Sequence, residues 1–224
     1  MRTVRQLGRT AGLVMTAAAA ALAFSGVAAA DKEKVQLTAA GQAAARAAVL
    51  TRADIGTAGG WTGGATKPDL SSTLPCANFR PKQSDLVLIG AAASTWKHAG
   101  LEFQSEAQVL RTPGMVRLDW QRTVLAPNVL PCLRSVFSKQ AGSGRLVSLR
   151  RLAFPQIAEY TRAFRGLLDV PASGTTVRVM VDMVLAGRGR TEITLMSFAP
   201  FAAEQAVRAA EVRLARVLVA RVRA

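Results

Sequence analysis

Residues 175–185 read Thr-Thr-Val-Arg-Val-Met-Val-Asp-Met-Val-Leu. Val177, Val179, Val181, Met183 and Leu185 fall on one side of an extended chain, and Thr176, Arg178 and Asp182 on the other, so the stretch predicts a half-buried strand. Residues 146–154, 157–170 and 191–198 are its neighbours in sequence, separated from one another by Pro155, by 171–174 and by Gly187-Arg188-Gly189. Connections this short join antiparallel strands, so four such stretches in a row predict a meander.

Working outward from the meander, the chain ends in a long helix from about Pro200. Ala203, Ala206, Val207, Ala210, Leu214, Val217 and Leu218 share one arc of it and are expected to pack on the sheet, with Val212 and Val219 on the opposite side beside Arg208, Arg216 and Arg223. Upstream, Thr112-Pro113 supplies an N-cap and an N1 proline, and Val116, Trp120, Thr123 and Val124 follow on one face. Another helix begins near Pro127, with Val129, Cys132, Leu133, Val136 and Phe137 on its apolar stripe. Residues 86–95 and 101–109 suit two strands, or a strand and a short helix. Thr38 caps a first helix over 39–50, in which only Gly41 opposes the helical preference. Residues 56–68 carry five glycines and Pro68 around Trp61 and predict a loop; without a Gly-Lys-Ser/Thr ending it is not a phosphate cradle. The fold expected is α+β: an antiparallel sheet of four or more strands with helices packed on one face, as a single domain over 38–224 preceded by a tail, 31–37.

The first thirty residues have the layout of an export signal. Arg2, Arg5 and Arg9 precede an apolar run over 11–24, and Ala28-Ala29-Ala30 offers an A-x-A cleavage site before Asp31. The competing reading is an uncleaved membrane anchor. No paired arginines mark a twin-arginine signal and no cysteine follows to carry a lipid, so the mature protein is expected outside the cytoplasm: secreted, or periplasmic where the source has an outer membrane. Cleavage removes three arginines and no acid, which takes the net charge from +15 to +12. Arginine exceeds lysine and alanine is abundant, a bias of GC-rich bacterial genomes. The two cysteines, Cys76 and Cys132, are expected to pair in an oxidising compartment and to pin the helix of Cys132 to the loop of Cys76.

Few side chains suit catalysis. His98 is the single histidine, which leaves histidine-based metal sites and Ser-His-Asp triads little to draw on; no metal or other cofactor is expected. Ser94-Thr95-Trp96-Lys97 fits the S-x-x-K pattern, in which a lysine one helical turn after a serine activates it, and supports an alternative reading as an envelope hydrolase or transferase. Glu102 and Glu106 are read as surface acids. The arginines of the meander are more suggestive. Arg150, Arg162 and Arg178 each lie within a predicted strand, and with Trp61 they form the candidate binding surface, guanidinium forks for an anionic group and an indole for an apolar or sugar face. The exposed valines and arginines of the last helix suit contact with an anionic membrane or cell wall. Nucleic acid is not expected as a partner: export opposes it, and no helix-turn-helix, zinc finger or aromatic-studded RNA-binding sheet appears.

Asp-Ile-Gly-x-x-Gly-Gly-Trp at 54–61, Cys76 in a polar loop, Leu-Glu-Phe-Gln-Ser-Glu-Ala at 101–107, Cys132 in a Pro-Cys-Leu helix and the closing meander and helix together resemble the extracellular sensor domains of PknH-type mycobacterial kinases. They are also similar to small exported actinobacterial proteins of that build. The resemblance implies helices over one face of an antiparallel sheet and a cleft for a ligand. The kinase sensor domain has two disulfides where this chain has cysteines for one. The function expected is therefore a sensor-like, non-enzymatic exported domain that binds an anionic or amphipathic envelope component, with an interaction protein lacking a small ligand as a further alternative.

Overall fold

The computed structural model describes residues 31–56, 59–70, 76, 78–172 and 174–222. The signal-peptide reading of 1–30 lies outside the described residues. The fold is α+β. The strands are β1 (Lys34–Val35), β2 (Thr62–Thr66), β3 (Val87–His98), β4 (Leu101–Leu110), β5 (Arg145–Arg151), β6 (Tyr160–Ala172), β7 (Thr175–Arg188) and β8 (Thr191–Pro200). The helices are α1 (Ala39–Ala47), α2 (Arg52–Ile55), α3 (Pro113–Arg122), α4 (Val129–Gln140) and α5 (Glu204–Ala220), the last entered through a 3₁₀ turn, Phe201–Ala203.

The strands form one sheet in the order β1-β3-β4-β8-β7-β6-β5, with β2 also on β3. The meander is present as expected, β5 to β8 each pairing antiparallel with the next. The hairpins are tight: β3 passes to β4 through Ala99-Gly100 alone, both at positive φ (44° and 80°), as a two-residue turn matching the strand twist requires. Thr112 caps α3 through a 3.3 Å bond from Met115 N, with Pro113 at the first position. Two strands had no sequence signal. β1 lies within the 31–37 segment and pairs parallel with β3, and β2 arises from the glycine-rich stretch that reads as loop.

Helices cover both faces of the sheet, which corrects the expectation of one. On the first face α1 and α5 enclose Ala92, Trp96, Phe103, Ala107, Met180, Val184, Ile193 and Leu195. On the second, α4 packs on Leu149, Phe164, Leu168 and Val181, and α3 on Leu88 and Leu110. The alternation in β7 is real, but its second face is not solvent: Met180, Asp182, Val184 and Ala186 are buried, and only its ends, Thr176 and Arg178 included, are exposed. Val219 is likewise 4% exposed, so the last helix lacks the free valine stripe read from its sequence.

A buried ionic network seats α5. Arg165 of β6 is 1% exposed and spends two donors on Asp182 of β7, at 2.7 and 2.6 Å, and a third on Glu204 at the start of α5. A buried ion pair is tolerable only when its remaining donors and acceptors are satisfied, and here the fork-to-carboxylate match does this. Glu211 sits beside them, 1% exposed, accepting from Ser197 Oγ through Oε1 while its Oε2 has no hydrogen-bond partner among the described residues. Arg208 Nη1 is 3.6 Å from that Oε2. Burial, followed by the Asp182 carboxylate, pushes Glu211 up to about 7.

At the other edge α1 meets β3 at backbone contact. Thr38 N donates to Ile89 O at 2.8 Å and Ala91 N to Gln42 Oε1 at 3.1 Å, which fills the gap on the β3 edge between β1 and β2. Gly41 and Gly90 make this approach possible, because a Cβ on Gly41 would lie 2.2 Å from Ile89 O.

Cys76 and Cys132 are joined, with Cα atoms 5.6 Å apart, and the bridge ties α4 to the segment preceding β3. Cys132→Ser is expected to lower stability by about 2–5 kcal/mol. Urea unfolding of the variant beside the unsubstituted protein tests this, and equal midpoints under oxidising conditions would show that the bridge contributes nothing.

Candidate ligand-binding site

An apolar slot opens between α5 and the Trp61 region. Leu101 and Phe103 of β4 form its floor, Ile55 and Trp61 one wall, and Ala206, Val207, Ala210 and Leu214 of α5 the other, with Arg213 the one charged side chain among the described lining residues. Its volume is ≈ 140 Å³. The space exists because α5 carries alanines at 206 and 210, where larger side chains would fill it.

Trp61 is held by ring contacts to Phe103 (centroids 5.8 Å) and His98 (5.3 Å), and its carbonyl accepts from Arg52 Nη1. His98 is half-buried against the indole, not merely solvated. Asp54 links this wall to the helix. Its Oδ2 accepts from Thr51 N and Oγ1, both at 2.8 Å, which starts α2, and the same carboxylate takes both Nη groups of Arg221 beyond the end of α5. Arg213 Nη1 donates to Asp54 O at 2.9 Å. Burial alone would raise Asp54, but the bonds from Arg221 and Thr51 outweigh it and hold the carboxyl below its ordinary value. The slot therefore has a fixed wall on the sheet side, a charged clasp at Asp54 and a guanidinium at its edge.

The four binding residues expected from sequence do not converge. Trp61 lines the slot, whereas Arg178 is bound to Asp169 at 2.8 and 3.2 Å, a carboxylate it shares with Arg145. Arg150 is exposed on the edge strand β5, and Arg162 lies near the start of β6 on the α3 side. Arg213 was missed, being one of many arginines on a helix. Ile55, Phe103 and Leu214 read as ordinary core, which they also are.

Ser94 and Lys97 make no catalytic pair. Ser94 is 2% exposed, donating to Leu50 O at 2.8 Å and lying 2.9 Å from Ser105 Oγ, while Lys97 projects from the opposite face of β3 and pairs with Glu102 at 3.1 Å. Strand geometry sends residues three apart to opposite sides, so the S-x-x-K spacing is helical chemistry on the wrong backbone.

On the second face Glu33, Glu106, Asp119 and Glu192 influence one another. Gln83 Nε2 donates to Asp119 Oδ1 at 3.0 Å, the Asp119 and Glu192 carboxyls share a hydrogen bond, and Glu192 Oε1 is buried without a hydrogen-bond partner among the described residues. Burial first, then the Asp119 and Glu33 carboxylates, push Glu192 well above the ordinary range; burial, then Asp119 and Glu106, take Glu33 to about 7. Burial likewise raises Glu106 and Asp119. Among the described residues no cluster of three ligating side chains is placed to hold a metal ion. Among the same residues no helix is long and apolar enough to cross a membrane.

Comparison of the chain with family models, with curated proteins and with solved structures gave no match.

Proposed function

We propose that this chain is an exported, non-enzymatic binding domain for an amphipathic, anionic component of the cell envelope, held by its apolar part in the slot beneath Trp61. The observation that carries the reading is a carbon-lined slot of ≈ 140 Å³ with one guanidinium, Arg213, at its edge. A cavity of ~150 Å³ lined by aliphatic and aromatic carbon takes up a benzene-sized group. Arg213 has donors beyond the one given to Asp54, and guanidinium suits a carboxylate or phosphate. The disulfide and the A-x-A site before Asp31 support work in an oxidising compartment outside the cytoplasm.

Octanoate is a suitable probe, with octanol as its uncharged counterpart. The protein is taken from the medium or envelope of its host, where the chain is expected to begin at Asp31. Octanoate should raise the melting temperature more than octanol, and the difference should shrink with salt because the edge charge is screened. Ala206→Phe, at an exposed position lining the slot, should fill the space and abolish both shifts, while Arg213→Ala should abolish only the preference for the acid. Equal responses in the Ala206→Phe variant and the unsubstituted protein would place the ligand elsewhere and remove this reading.

A further inference from the structure

A second recess, of ≈ 260 Å³, lies on the α3 side of the sheet, away from the slot. Trp120 of α3, Leu125, Gln156, Glu159 and the start of β6 from Tyr160 to Arg162 line it. Its volume falls just under the range of about 300–1,000 Å³ typical of small-molecule pockets, so it has room for a single ring and little more.

Its wall is an aromatic pair: Trp120 and Tyr160 stack with centroids 5.3 Å apart and planes inclined by 29°. Trp120 is 3% exposed, and its indole N–H has no acceptor among the described residues. Gln156 Nε2 is used on the Ala158 and Glu159 carbonyls at 2.7 and 3.1 Å, which fixes the side chain and leaves its Oε1 as an acceptor. Arg162 is exposed and gives one donor, Nη1, to Thr161 O at 3.3 Å; the rest of its guanidinium is unused among the described residues. Glu159 is exposed next to Tyr160.

A half-buried aromatic ring, an unanswered N–H, a fixed amide acceptor, a carboxylate and a free guanidinium around a one-ring space match the chemistry of a pyranose that bears an acid group. The apolar C–H face of such a sugar lies against an aromatic ring, its hydroxyls exchange hydrogen bonds with planar polar side chains, and its carboxylate accepts from guanidinium. We propose that this recess is a binding site for an acidic sugar residue, with Arg162 holding its carboxylate and Trp120 donating to a ring or hydroxyl oxygen. The site stands apart from the slot beneath Trp61 and does not depend on what fills it.

The test uses the three tryptophans, whose indole N–H groups give separate signals in a ¹H–¹⁵N spectrum, that of Trp120 being assigned by Trp120→Phe. One-ring ligands bind at about millimolar Kd, so glucuronate and glucose are titrated to about 20 mM. Glucuronate should move the Trp120 signal saturably and leave those of Trp61 and Trp96 in place. Arg162→Ala should weaken this at least tenfold, and Arg178→Ala, whose guanidinium is committed to Asp169, should leave it unchanged. No shift of the Trp120 signal, an equal response to glucose, or an unaltered titration in Arg162→Ala would each overturn the proposal.

Discussion

At pH 8 the Glu211→Gln variant should unfold at a higher urea concentration than the unsubstituted protein, and below pH 4.5 the two should unfold together. Glu211 is fully buried between α5 and the sheet, and its carboxyl titrates at about 7 where an exposed one titrates at 4.5. The folded chain thus holds the Glu211 proton more tightly than the unfolded chain. Its contribution is fully present below pH 4.5, is lost as pH rises from 4.5 to 7, and stays lost above that. The change is about 3 kcal/mol, at roughly 1.4 kcal/mol per unit. Glutamine keeps the Oε1 acceptor for Ser197 Oγ and carries no charge to repel Asp182, so the variant escapes the loss. Glu33, Glu106, Asp119 and Glu192 are raised as well and act in the same direction. The protein itself should accordingly be more stable at pH 5 than at pH 8. Urea midpoints between pH 4 and 8.5 decide the matter: a difference between variant and parent that does not change with pH would mean that Glu211 is ionised throughout.

The second large effect is at Gly90. A Cβ there would lie 2.1 Å from Gly41 O, 2.2 Å from Gly41 C and 2.8 Å from Gln42 N. All three are backbone atoms, which cannot rotate aside as a side chain does. Gly90→Ala must therefore push α1 away from β3, breaking the Thr38 N to Ile89 O bond and uncovering Ala45, Ala48 and Leu50. A loss above about 3 kcal/mol is expected, at the upper end of overpacking costs. Gly114 provides the contrast. It lies in the first turn of α3, where the nearest atom to a new Cβ is Thr112 Oγ1 at 3.8 Å, an ordinary contact. Gly114→Ala should gain about 0.5–1 kcal/mol. Thermal or urea unfolding showing the same sign for both substitutions would mean that the close approach of α1 and β3 is not rigid.

The parts of the fold legible in the sequence are those fixed by local rules. The meander showed in the alternation of 175–185 and in its turn residues, α3 in Thr112-Pro113, and the bridge in a lone pair of cysteines. β1 and β2 were not legible because they are short or glycine-rich and held by backbone pairing to β3, which leaves no side-chain period to read. The second buried face was hidden for a different reason. Arg165 and Asp182 look like solvent residues one at a time and become core only as a pair. The slot escaped notice because missing volume at Ala206 and Ala210 creates it, and absent atoms leave no motif. Trp61 was identified because a large aromatic in a glycine-rich stretch stands out; Arg213 did not, being one basic residue among many.

The order of strands also sets a timetable for the growing or threading chain. The β3–β4 hairpin emerges early, but its central partner is β8, with Glu106 opposite Thr194, and α5 follows later still. β1, β2 and α1 are already available to pair with or pack on that hairpin, and β5, β6 and β7 can pair with one another, so each half has neighbours of its own. What waits is the seam: the free edges of β4 and β7 stay unpaired until β8 arrives between them, so a chain delivered N-terminus first carries two half-sheets with open edges and joins them with its last strand.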